Sequence, residues 1–422
     1  MGGSKGTVLL GVLALCAGGA RGGITVGPEV VVAGAGPGGA VRGTPEAAFG
    51  KGICLVVWRE GWHGAGGAAR IRAARVSAAG KVLDAGGIEI APCRSGVQTA
   101  PRVAFAGGVF LVVWQDLRNG RDYDVLGARV SPGGKVLDAD PVAIAAGAGT
   151  QALPDVASDG KGFLVVWQGL PAGRTAYQGY VAAVTADGRA SGPTQLAFGA
   201  PQPQVAWNGS HYLLVYGTKR LVARRLDAAG RPVEKALKPW DGQVVRAYKK
   251  TVFSLAAAPQ AGWLVVKHRA PPDYWGWGGP GAMPAYLVRP GGQVDAELKR
   301  HMKKDRAGNW GKLPYWLDLG GKKRDTWPYG PSACAWDGRQ FVAVWQRYHI
   351  AQAVQFVNGD LIASRLDGWK PLDPAGVPVA ASGVDEKRPA LASDRSGRLL
   401  CAYEKYAADG RVCICARTLH TR

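Results

Sequence analysis

Two stretches of this chain hold residue types that could do binding chemistry. One, about 268–283, contains "PPDYWGWGGPG"; the other, about 299–331, contains "KRHMKKDRAGNWGKLPYWLDLGGKKRDTWPYGP". Tyr274, Trp275, Trp277, Arg300, Lys303, Trp310, Trp316 and Trp327 are the candidate ligand-binding residues. Aromatic faces stack on sugars or bases, and the interleaved cations contact carboxylate, sulfate or phosphate. The competing account is a mini-core, in which a long insertion buries tryptophans to fold on its own blade. A third stretch, "VVVAGAGPGG", places Gly34, Gly36 and Gly39 with the G-x-G-x-x-G spacing that cradles a dinucleotide pyrophosphate.

Catalytic constellations are weak. Glu60, Asp116 and Glu404 follow apolar strands and could converge at a channel mouth, but turn or surface roles are expected. Asp122-Tyr123-Asp124 reads as a solvated loop rather than a cation site. His63, His211, His268, His301 and His349 are isolated and lack metal-ligand spacing. There is no P-loop, nucleophile elbow or Cys/His pair, so no catalytic residue, metal or cofactor is assigned.

The totals frame these candidates. The 422 residues are 47% apolar, with 63 glycines and 15 tryptophans, and carry a formal charge of +21. Such glycine usage without a collagen period suits many tight turns. The basic balance favours anionic surroundings. Lys5 followed by the apolar run Thr7–Cys16 and small residues to Ala20 reads as an export signal over residues 1–20. Cys16 raises a lipoprotein alternative, but Leu15 sits where a lipobox has Gly or Ala. No stretch is long and apolar enough for a transmembrane helix. Among the remaining cysteines, Cys401 with Cys413 or Cys415 is the best candidate disulfide.

The elements that would position these residues come from a repeat. "CLVVWRE", "FLVVWQD", "FLVVWQG", "YLLVYG", "WLVVKH", "FVAVWQ" and "LLCAYE" recur with a period near 50 residues and one large insertion. Each copy has a short apolar strand, a tight turn such as Asp159-Gly160, Asn208-Gly209 or Asp337-Gly338, the apolar strand, and a third and fourth segment. Asx-Gly pairs tolerate the positive φ of two-residue hairpins. These turns lack the Ser-x-Asp-x-Gly-x-Thr-Trp order of sialidase Asp-boxes. Four short antiparallel strands per copy describe a β-propeller blade. The expected fold is all-β: a single propeller over residues 24–422, seven four-stranded blades, with six or eight as alternatives. Blades begin near 45, 101, 154, 203, 253, 331 and 389.

"FLVVWQDLRNGRDYDVLGARVSPGGKVLD", Phe110 to Asp138, resembles a repeat of exported bacterial propeller proteins of cell-envelope or secreted type. The resemblance covers roughly Pro45 to Arg417. It implies architecture and supplies no catalytic residue.

The repeat also decides the glycine motif. A dinucleotide site needs a helix after the glycines, but Gly43, Pro45, Gly50 and Gly52 leave no clean helical turn. Val30–Ala33 aligns instead with Ile88–Ala91, a fourth segment. The last copy lacks its fourth strand, so Val30–Ala33 is expected to complete it and close the ring, removing an exposed edge.

The expected function is an exported, non-enzymatic propeller that binds an anionic polysaccharide or an envelope protein through loops on one face, as a monomer. The face joining second to third strands and successive blades varies most in length, and both insertions belong to it. Alternatives are a polysaccharide hydrolase or lyase on that face and a structural envelope scaffold. No dinucleotide is expected, and export disfavours nucleic acid.

Overall fold

The computed structural model describes residues 22–36, 40–61, 68–92, 96–198, 201–217, 222–233, 251–269, 285–293, 326–351, 355–368 and 370–421. They form seven separate antiparallel sheets arranged as a seven-bladed β-propeller. The repeated apolar strand is the second strand of each blade. Its continuous apolar character follows from burial on both faces: Leu55, Val56, Val57 and Trp58 are all buried, as are their counterparts through Trp114, Trp167 and Trp345. Facing second and third strands of neighbouring blades make seven hydrophobic clusters, for example Leu55, Val57 and Ile71 against Phe110, Val112 and Trp114. Gly160, Gly209 and Gly338 of the Asx-Gly turns all have positive φ (91°, 98° and 107°), as those turns require.

The N-terminal segment closes the ring. Ile24–Val26 and Val30–Ala33 both pair antiparallel with the last strand, Val412–Thr421, with Val26 opposite Leu419 and Val30 opposite Ala416. Between them the chain bends at Gly27-Pro28-Glu29, and Glu29 turns into the blade. Its carboxylate accepts hydrogen bonds from Tyr403 Oη (2.6 Å) and Lys405 Nζ (2.7 Å). These contacts outweigh partial burial and hold the Glu29 carboxyl below the usual carboxylate range. Gly34 and Gly36 then lead into a strand, Val41–Gly50, where a dinucleotide fold needs a helix.

The first strands surround the axis. Register across each first hairpin defines equivalent positions in all seven blades. One position is alanine throughout: Ala48, Ala104, Ala157, Ala206, Ala256, Ala335 and Ala392, opposite Leu55, Leu111, Leu164, Leu213, Leu264, Val342 and Leu400. Strands approach most closely at the axis, so a small side chain is what fits there. In the same tight zone the Phe105 ring occupies the space a Gly50 side chain would need, 2.2 Å from an added Cβ.

At its outer end most first strands carry a bulge. Thr44, Ala100, Leu153, Gln202 and Arg388 all have φ of 50–52°, and each precedes a proline. The left-handed conformation is costly for residues with side chains, so it persists where surroundings enforce it. The residue after the blade aromatic supplies part of that enforcement from the neighbouring blade. Leu153 N–H donates to Gln115 Oε1 (2.8 Å), Gln202 N–H to Gln168 Oε1 (3.0 Å) and Thr44 N–H to Glu404 Oε1 (2.7 Å). The Gln of "VVWQ" is thus a staple between blades.

The charged letters of the "ARVS…KVLD" phrase have a similar use. Arg75 donates to both oxygens of Asp84 (Nε–Oδ2 2.8 Å, Nη2–Oδ1 2.7 Å) and reaches the Pro132 carbonyl of the next blade (3.1 Å). Arg129 repeats this with Asp138 and the Ala186 carbonyl, and Arg365 pairs Asp373. The Arg75 hydrogen bonds hold the Asp84 carboxyl below its usual range.

No cysteine faces another across the last hairpin. Cys401 lies opposite Arg417, Cys413 opposite Lys405 and Cys415 opposite Tyr403, and all three are free thiols. A disulfide needs its two Cα atoms about 4.4–6.8 Å apart, and a diagonal pair in a sheet exceeds that. The expected Cys401 pairing is therefore not made.

Three outcomes follow from this architecture. Removing residues 24–33 should expose the Val412–Thr421 edge and lower the melting temperature, with aggregation on heating; an unchanged melt contradicts the closure. Gln168→Ala should cost about 1–3 kcal/mol in denaturant unfolding, because the Gln202 N–H loses its partner. Asp84 ionises at lower pH when folded than the unfolded value of about 3.9, so its contribution is present above that value and lost as pH falls through the folded one. Wild type and Asp84→Asn should therefore melt apart at about pH 7 and converge at about pH 2.

Candidate binding faces of the ring

First strands start, and second strands end, on one face of the ring. This face carries the connections between blades. Tyr274, Trp275, Trp277, Arg300, Lys303, Trp310 and Trp316 lie outside the described residues. Trp327 is in the strand Thr326–Trp336, opposite Tyr348, but its side chain is outside the description.

The described part of this face is built from buried carboxylates under exposed guanidinium groups. Glu60, 6% exposed, pairs with the largely buried Arg42 (2.6 Å, 14% exposed) and with Arg70 (3.3 Å), which is 44% exposed. Asp116, fully buried, pairs with Arg118 (2.7 Å), which is 37% exposed. Glu404, 2% exposed, pairs with Arg388 (3.4 Å), which is 52% exposed. Turn or surface roles were expected for these three carboxylates. They are instead interior groups, because each is the hub of a network. Asp116 also accepts from Trp114 Nε1 (2.8 Å), Gln98 Nε2 (3.1 Å) and the Arg118 N–H (2.9 Å). Burial opposes ionisation of Glu60 and Asp116, but the arginines prevail and hold both below the usual carboxylate range. Both therefore remain anionic at neutral pH and do not serve as general acids.

Asp122-Tyr123-Asp124 braces the passage from blade 2 to blade 3. Gly149 N–H donates to Asp122 Oδ2 (3.0 Å), Gly147 N–H to Asp124 Oδ1 (3.2 Å), and Gln151 N–H to the Tyr123 carbonyl (2.6 Å). Asn119 Nδ2 links the two carboxylates, at 2.9 and 3.1 Å. No group of three His, Cys, Asp or Glu among the described residues is placed to hold a metal.

Sequence reasoning missed a girdle around the axis that is polar in five of the seven blades. Two positions before each ring alanine stand Glu46, Arg102, Asp155, Gln204, Ser254, Ala333 and Ala390. Arg102 meets Glu46 through Nη1 (2.7 Å) and Asp155 through Nε (3.3 Å). Asp155 Oδ2 accepts the Val205 N–H (2.8 Å), Gln204 Nε2 donates to the Phe253 carbonyl (2.8 Å), and Ser254 Oγ lies 2.9 Å from Ser332 Oγ. Burial raises the Glu46 and Asp155 carboxyls, only partly offset by Arg102. The signal was available in the sequence as a polar residue directly after Pro45, Pro101, Pro154 and Pro203.

Opposite the connecting segments, the ends of the first strands of all seven blades surround a cavity of about 740 Å³. Its wall is formed by the residue after each ring alanine: Phe49, Phe105, Ser158, Trp207, Ala257, Trp336 and Ser393.

No protein-family model matches the chain, and no curated protein matches it. Among solved structures it is similar to Trypanosoma rangeli sialidase in complex with sialic acid, with TM-score 0.50 and 9% identity, covering 94% of this chain and 58% of that one. The same enzyme as a covalent 2,3-difluorosialic acid intermediate gives TM-score 0.50 and 9% identity, with 93% and 58% covered. A Dyadobacter fermentans protein of unknown function gives TM-score 0.46 and 10% identity, with 95% of this chain and all of that one covered. The chain thus spans little more than half of the sialidase chains, and the likeness is one of propeller fold.

Proposed function

We propose that this protein is an exported, non-enzymatic propeller of the bacterial envelope or secreted type that binds an acidic polysaccharide on the face carrying the blade connections. One observation supports this reading above the others: on that face Arg70, Arg118 and Arg388 stand exposed over the buried carboxylates of Glu60, Asp116 and Glu404. What solvent and ligand meet there is guanidinium, already positioned by its partner carboxylates and of the charge that attracts carboxylate or sulfate. The aromatic and basic residues of 268–283 and 299–331 extend the same chemistry. No helix among the described residues is long and apolar enough to cross a membrane.

A hydrolase or lyase is the second reading, favoured by Glu46 and Asp155 converging on Arg102. Against it, one guanidinium engages both carboxylates, and Asp155 also accepts a backbone N–H. Release of reducing ends or unsaturated uronate from a bound polysaccharide, abolished by Glu46→Gln, would establish it.

Binding is tested by calorimetry with heparin, alginate and polygalacturonate. At least one should bind, more weakly as salt rises. The pair Arg70→Gln/Arg388→Gln, and separately Trp275→Ala/Trp277→Ala, should each weaken it about tenfold, or about 1.4 kcal/mol, while the protein remains folded. Failure of all three polymers to bind, or equal affinity in both variants, refutes the assignment.

A further inference from the structure

The cavity on the opposite face lies apart from the face discussed above. Its collar holds aromatic residues in four blades and small ones in three. In blade order these are Phe49, Phe105, Ser158, Trp207, Ala257, Trp336 and Ser393, every one half-exposed. In a sevenfold ring blade 1 lies across from blade 4, and blade 2 from blade 6. Phe49, Phe105, Trp207 and Trp336 are therefore spread around the cavity, each ring packed against the apolar cluster beside its blade, with the small residues opening gaps between them. Three of the rings are braced from behind by cross-strand aromatic partners: Phe105 by Phe110 (4.8 Å between centroids), Trp207 by Tyr212 (4.6 Å) and Trp336 by Phe341 (5.0 Å). Braced rings that remain partly exposed at a shared cavity are prearranged contact surface.

The polar groups interleaved with the rings select what fits. Ser158 Oγ and Ser393 Oγ each accept one turn N–H, from Gly160 and Arg395 (both 2.9 Å), which leaves the hydroxyl hydrogen to donate. Asp159 Oδ1 accepts Lys161 and Gly162 N–H (both 2.8 Å), which leaves its Oδ2 without a hydrogen bond among the described residues. The rim charges balance, with Lys51 and Arg395 against Asp159 and Asp394. The alanine ring narrows the inner end. An uncharged ligand with flat C–H faces and a perimeter of hydroxyls matches this pattern.

We propose that the cavity binds a neutral pyranose, with its C–H faces between the Phe and Trp walls and its hydroxyls on Ser158, Ser393 and Asp159. At about 740 Å³ the cavity lies within the size range of small-molecule sites.

The test uses the full chain and a panel of methyl glucosides, galactosides and mannosides with maltose and cellobiose. Calorimetry or ligand-observed NMR should find at least one binder near about 1 mM. Ala257→Trp, which fills a gap in the collar, should weaken it at least tenfold, as should Trp207→Ala/Trp336→Ala. Cys334 lines the same cavity, so on the wild-type protein the bound sugar should slow its alkylation by N-ethylmaleimide several-fold, read by peptide mass spectrometry. This measurement stands even if a variant fails to fold. No binder in the panel, or a binder that leaves Cys334 alkylation unchanged, overturns the assignment. So does a binder whose affinity survives in a folded Ala257→Trp protein.

Discussion

Seven strands must meet around one axis, and steric crowding there governs everything outside it. The answer is an alanine at one register position in all seven blades. Close approach at the axis fans the sheets apart further out, and the widening gaps need bulk. The second strands supply it with Leu, Val and Trp, buried on both faces. Small at the centre and large outside is one packing solution seen at two radii.

Apolar packing fixes distance but not height, since one sheet can slide past another. Directional contacts set the height. The Gln115, Gln168 and Glu404 side chains each hold a backbone N–H of the next blade, and the Arg75 and Arg129 guanidiniums each reach a carbonyl of the next blade. The polar letters of the repeat are thereby consumed in joining blades. What differs between copies is the collar residues, the girdle residues and the insertions.

The periodic "LVVW" strand with its Asx-Gly turn made the blades and the closing role of Val30–Ala33 legible, because both are local patterns repeated many times. The alanine ring was equally regular but went unnoticed, since alanine is common and its meaning appears only when registers are aligned. Glu60, Asp116 and Glu404 were misplaced on the surface because burial of a carboxylate depends on partners elsewhere in the chain: Glu404 meets Thr44 N–H 360 residues away. The left-handed residues before Pro45, Pro101, Pro154, Pro203 and Pro389 run against the ordinary preference of a pre-proline residue for extended backbone. Cross-blade hydrogen bonds hold three of the five, and a single-sequence pattern does not display such bonds.

The closing strand has a temporal consequence. Ile24–Ala33 is made well before its partner Val412–Thr421, with six blades between them. Blades 1 to 6 form from neighbouring segments, whereas blade 7 must join segments far apart in sequence. Such non-local pairing is slow, since loop closure precedes any reward from contacts. Until it happens, each partner presents an unpaired edge to other copies of the chain. The seam is therefore where folding and self-association compete, and Glu29, turned toward Tyr403 and Lys405, favours the intramolecular outcome.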